Sequence, residues 1–236
     1  MKAKWFNTPN RVTISRILLS LILFVLLSVP LFVAPEKLIL IPTTHITVLD
    51  LVCFVFFIAL GATDGVDGHL ARSTNQVTDL GKVLDPLADK MLVDGTMVLL
   101  SARSPMLLPP LFTVLFICRD LLVDGVRIMC ASKGHVVAAN MWGKVKTVME
   151  MVLIPIVIIR GFPFSYLDRY LSPTEFGAWG TEVADQLSYQ GELSAMVFCL
   201  VLGVATLVLS LVSGGIYIYR GRYALIGDGS DHREDK

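Results

Sequence analysis

Charge is what this 236-residue chain lacks most: Asp, Glu, Lys and Arg together make up 17% of it, against roughly 25% in soluble domains. At 54% hydrophobic residues, it does not read as a free globule in water. Intrinsic disorder is excluded as well, because disordered chains are rich in charge and poor in apolar residues. Twenty basic residues cancel twenty acidic ones, so there is no net positive field to attract nucleic acid, and no such partner is expected. Cysteine is equally sparse. Cys53, Cys118, Cys130 and Cys199 lie in or beside apolar stretches with no CxxC spacing, which argues against a disulfide framework or a zinc site and reads as buried thiols. Internal repeats, low-complexity tracts and any composition break that would mark a second domain are also missing.

What the chain does have is apolar sequence in blocks. Six runs, at about residues 12–33, 46–68, 80–102, 107–131, 144–159 and 194–219, approach the roughly 20 residues that cross a bilayer as a helix. The expected fold is all-α, a polytopic membrane bundle of six transmembrane helices. Residues 1–11 open with Lys2, Lys4, Trp5 and Phe6 and carry no small-residue cleavage site, which reads as a retained interfacial segment or polar tail. Residues 12–220 form one membrane domain, 161–192 a Pro- and Gly-containing loop, and 221–236 a polar tail. Six spans put both termini on one side. That side holds Lys2, Lys4, Arg11, Arg72, Lys133, Arg220, Arg222, Arg233 and Lys236, against Lys37, Arg103, Arg160 and Arg169 opposite. The excess predicts cytoplasmic termini and an extracytoplasmic 161–192 loop.

Ionisable residues within spans are costly and mark sites or pathways. They concentrate where the second and third runs meet, in ATDGVDGHLARSTNQVTDLGKVLDPLADK, residues 62–90. Asp64, Asp67, Gly68 and Ala71 stand at i, i+3, i+4 and i+7, one stripe of a helix; Gly81, Asp85 and Asp89 stand at i, i+4 and i+8 on the next. Four carboxylates converging at low dielectric repel one another unless cations neutralise them. The set is all oxygen, with no His or Cys on either stripe, which suits Mg²⁺ or Mn²⁺. Two such ions, about 4 Å apart, clamp a diphosphate and stabilise both oxygens of an in-line displacement. Gly68, Ala71 and Gly81 leave room for a ligand beside the backbone. Small residues also serve helix packing, and one Asp can simply pair with Lys82 or Lys90. Eight positions at fixed offsets favour a site. A divalent-cation pathway is a competing reading of the same carboxylates, one that requires ion flux without any nucleotide donor.

These residues carry a resemblance to the CDP-alcohol phosphotransferase family, whose signature D-x2-D-G-x2-A-R-x8-G-x3-D-x3-D is matched in full by Asp64, Asp67, Gly68, Ala71, Arg72, Gly81, Asp85 and Asp89. The resemblance implies a six-helix membrane enzyme that moves a phosphatidyl group from CDP-diacylglycerol to an alcohol and releases CMP. It implies a two-metal centre at Asp64, Asp67, Asp85 and Asp89, with Asp89 as general base, and cytidine-nucleotide contacts from Gly68, Ala71, Arg72 and Gly81. A homodimer in a bacterial cytoplasmic membrane, with its active site on the cytoplasmic side, is implied in the same way.

The acceptor is read elsewhere. RDLLVDGVRIMCASKGHVVAANMWGKVKT (119–147), TPNRVTISR (8–16) and LDPLADK (84–90) resemble the branch of that family whose acceptor is glycerol-3-phosphate. Arg119 and Arg127 share one helical face, and Lys144 and Lys146 open the next span. A buried phosphate dianion requires such a cluster, with planar forks from Arg and point charges from Lys. The alternative is that these cations neutralise Asp120, Asp124 and Glu150 or snorkel to lipid headgroups. The branch commonly has Glu, Ser and Gln at positions 120, 124 and 150, so Asp124 and Glu150 add negative charge here. A different acceptor, such as phosphatidylglycerol in cardiolipin formation, would need no such cluster. Of the smaller signals, Asn10, Thr13 and Arg16 are helix caps, lipid contacts or diphosphate contacts. His69 leaves the carboxylate stripe, Pro86 is placed to kink the third helix, and Asp79 and Asp94 read as loop and supporting residues.

Overall fold

The computed structural model describes residues 8–33, 38, 46–73, 79–132, 141–160, 162 and 193–226, excepting the side chains of 8–12, 64–73, 79–83, 85, 193–194, 221 and 223–226. Among these residues there are six helices and no strand: α1 (Thr8–Phe32), α2 (Val48–Ser73), α3 (Asp79–Arg103), α4 (Pro110–Ser132), α5 (Met141–Ile158) and α6 (Leu193–Ile226). All six extend past at least one expected apolar edge, because polar turns such as Thr8–Arg11, Asp79 and Arg220–Arg222 belong to the helix although not to the hydrophobic run. Asp79 therefore opens α3 and is not a loop residue. Pro86 lies inside α3 and Pro155 inside α5, neither ending its helix.

Helix ends follow ordinary capping chemistry. Thr47 precedes α2, and its Oγ1 accepts from the Asp50 N–H at 3.1 Å while the Asp50 carboxylate accepts from the Thr47 N–H at 2.9 Å, a reciprocal capping box. The α3–α4 connection turns on Ser104, whose carbonyl accepts from Leu107 and Leu108 at 3.1 and 3.0 Å. Pro110 then opens α4, where its missing N–H costs no helical bond. Inside the helices, Ser20, Thr63, Ser101 and Thr206 donate to carbonyls one turn back at 2.7–2.9 Å, so their hydroxyls are satisfied without water.

α1 packs on α3 and α2, and α4 and α5 pack on α6; α3 also meets α4 and α5, and α2 meets α5. The core runs through Leu23, Leu27, Phe57, Leu92, Met97, Phe116, Leu153 and Ile154. Gly95 sets the α1–α3 approach, since a methyl group there would overlap the Phe24 ring. The surface inverts the sorting of a soluble protein. Phe32, Ile128, Val25 and Leu111 are exposed at 85%, 70%, 65% and 64%, while Asp50, Thr96, Thr206, Ser210 and Ser213 are fully buried. Two segments, Thr13–Phe32 and Ala195–Arg220, are long and apolar enough to cross a membrane by themselves. Cys53, Cys130 and Cys199 are buried as expected; Cys118 is not, because it falls on the outward face of α4.

One charged cluster fixes the alternation of the helices. Asp50, at the start of α2, is paired with Arg103 at the end of α3 and lies 3.7 Å from the Arg160 Nε just past α5. Arg160 adopts φ 55°, a left-handed conformation that costs a non-glycine residue on the order of 1 kcal/mol. The start of α2 thus shares one end of the bundle with the ends of α3 and α5. Removing one member of a buried pair leaves an uncompensated charge, worth about 3–5 kcal/mol. Arg103→Met should therefore lower the melting temperature of the detergent-solubilised protein, and adding Asp50→Asn should restore part of it. An Arg103→Met melting curve superimposable on wild type would contradict this role.

Candidate active site

At the opposite end, α3, α4, α5 and α6 enclose a cavity of about 260 Å³. Its walls are charged although the helices that build them are largely apolar. From α3 come Asp89, Lys90 and Asp94; from α4 Arg119, Asp120, Asp124 and Arg127; from α5 Lys144, Lys146 and Glu150; from α6 Ser213 and Tyr217. The period of α4 explains its share: positions 119, 120, 123, 124 and 127 recur at three- and four-residue steps and line one face.

Most of these charges are spent on one another. The Lys146 Nζ donates to Asp120 and pairs with Glu150, both at 2.7 Å. Asp120 uses its other oxygen to accept from the Arg119 Nη1 at 2.8 Å. Arg119 continues the chain into α6, donating from Nε to the Ser210 carbonyl at 2.8 Å and from Nη2 to the Ser213 Oγ at 2.9 Å. Glu150, Lys146, Asp120 and Arg119 thus alternate in sign across three helices. Such a network is favourable in a low-dielectric interior only when each member is matched. Lys90 is paired with Asp124 and also reaches the Asp120 carbonyl at 3.5 Å.

Two cations stand apart. Arg127 is exposed, with its guanidinium carbon 5.6 Å from the centroid of the Tyr217 ring. Lys144, in the first turn of α5, is exposed as well. Among the described residues, neither has a carboxylate partner.

The four cations singled out in the sequence therefore share one chamber but differ in their commitments. Lys146 is held by two carboxylates and is 4% exposed; Arg119 retains N–H groups beyond its three bonds; Arg127 and Lys144 line the cavity and remain exposed. Asp124 meets Lys90 and not the arginines. Asp94 is part of the wall, a place its position off the signature stripe did not reveal. Ser210, Ser213 and Tyr217 escaped sequence reasoning entirely, because they lie in an apolar run about ninety residues from the arginines they touch.

Asp89 is half-buried and lines the same cavity. Asp64, Asp67, Gly68, Ala71 and Arg72 fall in α2, and Gly81 and Asp85 in α3, but their side chains lie outside the described residues, as do His69 and Asn10. Among the described residues, accordingly, no three metal-ligating side chains come together. Thr13 and Arg16 are buried on α1, 5% and 4% exposed.

Residues 6–173 match the family model of CDP-alcohol phosphatidyltransferase. A Bacillus subtilis protein named CDP-diacylglycerol–glycerol-3-phosphate 3-phosphatidyltransferase is 38% identical over 164 residues, 67% of this chain and 80% of its own length. Proteins of the same name from Haemophilus influenzae and Mycoplasma pneumoniae are 34% identical over 149 residues and 35% identical over 124 residues. These alignments cover 62% and 52% of this chain and 72% and 52% of the relatives. With a match over more than half of its length and a relative covered this fully, the chain belongs to the CDP-alcohol phosphatidyltransferase family.

Proposed function

We propose that this chain is a phosphatidylglycerophosphate synthase: it transfers the phosphatidyl group of CDP-diacylglycerol to the 1-hydroxyl of sn-glycerol-3-phosphate, forming phosphatidylglycerophosphate and releasing CMP. It is a membrane-bound, CDP-diacylglycerol-dependent phosphatidyltransferase of phospholipid biosynthesis. The observation that carries the acceptor is one cavity lined both by Asp89 and by Arg127 and Lys144, cations with no carboxylate partner among the described residues. A phosphate dianion needs the cations, and the hydroxyl three carbons away needs a proton acceptor. The names of the relatives point to the same acceptor. A neutral or lipid acceptor would leave Arg127 and Lys144 without a task.

In this reading all six helices span the membrane, which the apolar exterior of α2, α4 and α5 supports as well as that of α1 and α6. Residues 12–220 act as one membrane domain, both termini and the cavity face the cytoplasm, and the chain works as a homodimer in a bacterial inner membrane. The diacylglycerol tails of the donor remain in the leaflet while glycerol-3-phosphate enters from water.

The donor set fits a hard divalent cation. It is composed of carboxylates, and among the described residues no His or Cys side chain lines the cavity. Asp64, Asp67, Asp85 and Asp89 would hold two ions, Mg²⁺ or Mn²⁺, whose charge, when bound, offsets that of the diphosphate and makes CMP an acceptable leaving group. Gly68, Ala71, Arg72 and Gly81 receive the cytidine nucleotide. Arg127 and Lys144 capture the acceptor phosphate, and Arg119 and Lys146, restrained by Asp120, set the charge behind it. Asp89 takes the proton of the attacking hydroxyl as the new P–O bond forms and the bond to CMP breaks.

Purified protein supplied with Mg²⁺, CDP-diacylglycerol and labelled glycerol-3-phosphate should give one labelled phospholipid and an equal amount of CMP. CMP release with no labelled lipid would overturn the acceptor assignment, and ion flux without a donor would support the transport reading. Chelation with EDTA should abolish turnover, and Mg²⁺ or Mn²⁺ should restore it; activity that survives thorough chelation would remove the metals from the scheme. Asp89→Asn should lower kcat about 10²–10⁴-fold, the range for losing a general base, with the melting temperature held near that of wild type. A kcat within a few-fold of wild type would take the base role from Asp89.

A further inference from the structure

The family match ends at residue 173, yet α6 supplies part of the cavity wall, and its contacts fall on the two arginines of α4. Ser213 is fully buried and accepts from the Arg119 Nη2 at 2.9 Å, and the neighbouring Ser210 carbonyl takes the Arg119 Nε at 2.8 Å. Position 214 is glycine, and a Cβ there would lie 3.1 Å from both the Cγ and the Nε of Arg119, tighter than a side chain ordinarily packs. One turn after Ser213, Tyr217 is 4% exposed and lies beneath the exposed guanidinium of Arg127. Ser213 and Tyr217 stand at i and i+4, and Arg119 and Arg127 at i and i+8, so one face of α6 meets one face of α4.

We infer that Ser213 and Tyr217 are positioning residues for the acceptor, fixing the planes of Arg119 and Arg127 so that their remaining N–H groups meet a phosphate. The inference rests on the function proposed above and adds to it a recognition element on the last helix. The physical reason is entropic. A free arginine loses several rotamers on binding an anion, whereas one already stacked on a ring or threaded between a hydroxyl and a carbonyl has lost most of them beforehand. Tyr217 acts with its face, through cation–π attraction, and Ser213 with an oxygen that leaves part of the guanidinium edge open. Neither residue touches the phosphorus that reacts, so their effect falls on acceptor capture and not on the chemical step.

The test is the steady-state kinetics of the full chain in detergent–lipid micelles with Mg²⁺, varying glycerol-3-phosphate and CDP-diacylglycerol separately. Tyr217→Leu should raise the KM for glycerol-3-phosphate about two- to fivefold, the size of one exposed cation–π contact, while kcat and the KM for CDP-diacylglycerol stay at their wild-type values. Tyr217→Phe keeps the ring and should behave as wild type. Ser213→Ala should raise the same KM about three- to tenfold. Should Tyr217→Leu not accumulate as folded protein, Ser213→Ala and Tyr217→Met carry the test. An unchanged acceptor KM in these variants, or equal rises in both KM values, would overturn the inference while leaving the transferase reading in place. Wild-type protein that ignores glycerol-3-phosphate yet forms phospholipid from another alcohol would instead overturn the function on which the inference rests.

Discussion

The constraint on which the rest of this molecule depends is the cost of charge inside an apolar bundle. Among the described residues, six largely hydrophobic helices enclose two charged regions, and in each an unmatched ion would cost several kcal/mol. At one end the solution is structural: Asp50 serves at once as the cap of α2 and as the counter-ion of Arg103 and Arg160. At the other end, Glu150, Lys146, Asp120 and Arg119 neutralise one another in sequence. That alternation has a functional consequence. The described wall carries five acidic and five basic side chains, so it offers an anion no formal net charge, and in the function proposed here acceptor recognition falls to the cations left outside the network.

This division changes how the four basic residues read. Arg119, Arg127, Lys144 and Lys146 look equivalent as letters, each a cation in or beside an apolar run. In the fold Lys146 is an internal counter-ion and Arg119 a braced strut with spare donors, while Arg127 and Lys144 have no carboxylate partner among the described residues. The acids Asp124 and Glu150 are absorbed likewise, by Lys90 and Lys146. Neither stands as an unopposed negative charge.

Much of the fold was legible in the sequence because hydrocarbon burial writes long apolar runs, and all six helices fall on those runs. Their ends were less legible, since the polar turns of α1, α3 and α6 are helical for hydrogen-bonding reasons that hydropathy does not register. The family was legible because its chemistry demands carboxylates and small residues at fixed helical offsets. What could not be read was partnership across distance. Nothing in the serine and tyrosine of an apolar run signals that they brace arginines ninety residues earlier. Nothing in Asp50 announces that it joins three helix ends. Such contacts depend on how helices rotate about their axes, which is decided by packing of the whole bundle.

The central claim is that the cavity recognises its acceptor through a phosphate held by the uncommitted cations. The most direct measurement is the ratio of turnover with glycerol-3-phosphate to turnover with glycerol, compared between the wild-type protein and Arg127→Met. The account predicts a strong preference for the phosphorylated alcohol in the wild type, and its collapse by an order of magnitude or more in the variant, as expected when a charge-assisted pair is lost. A preference that survives the substitution unchanged would contradict it.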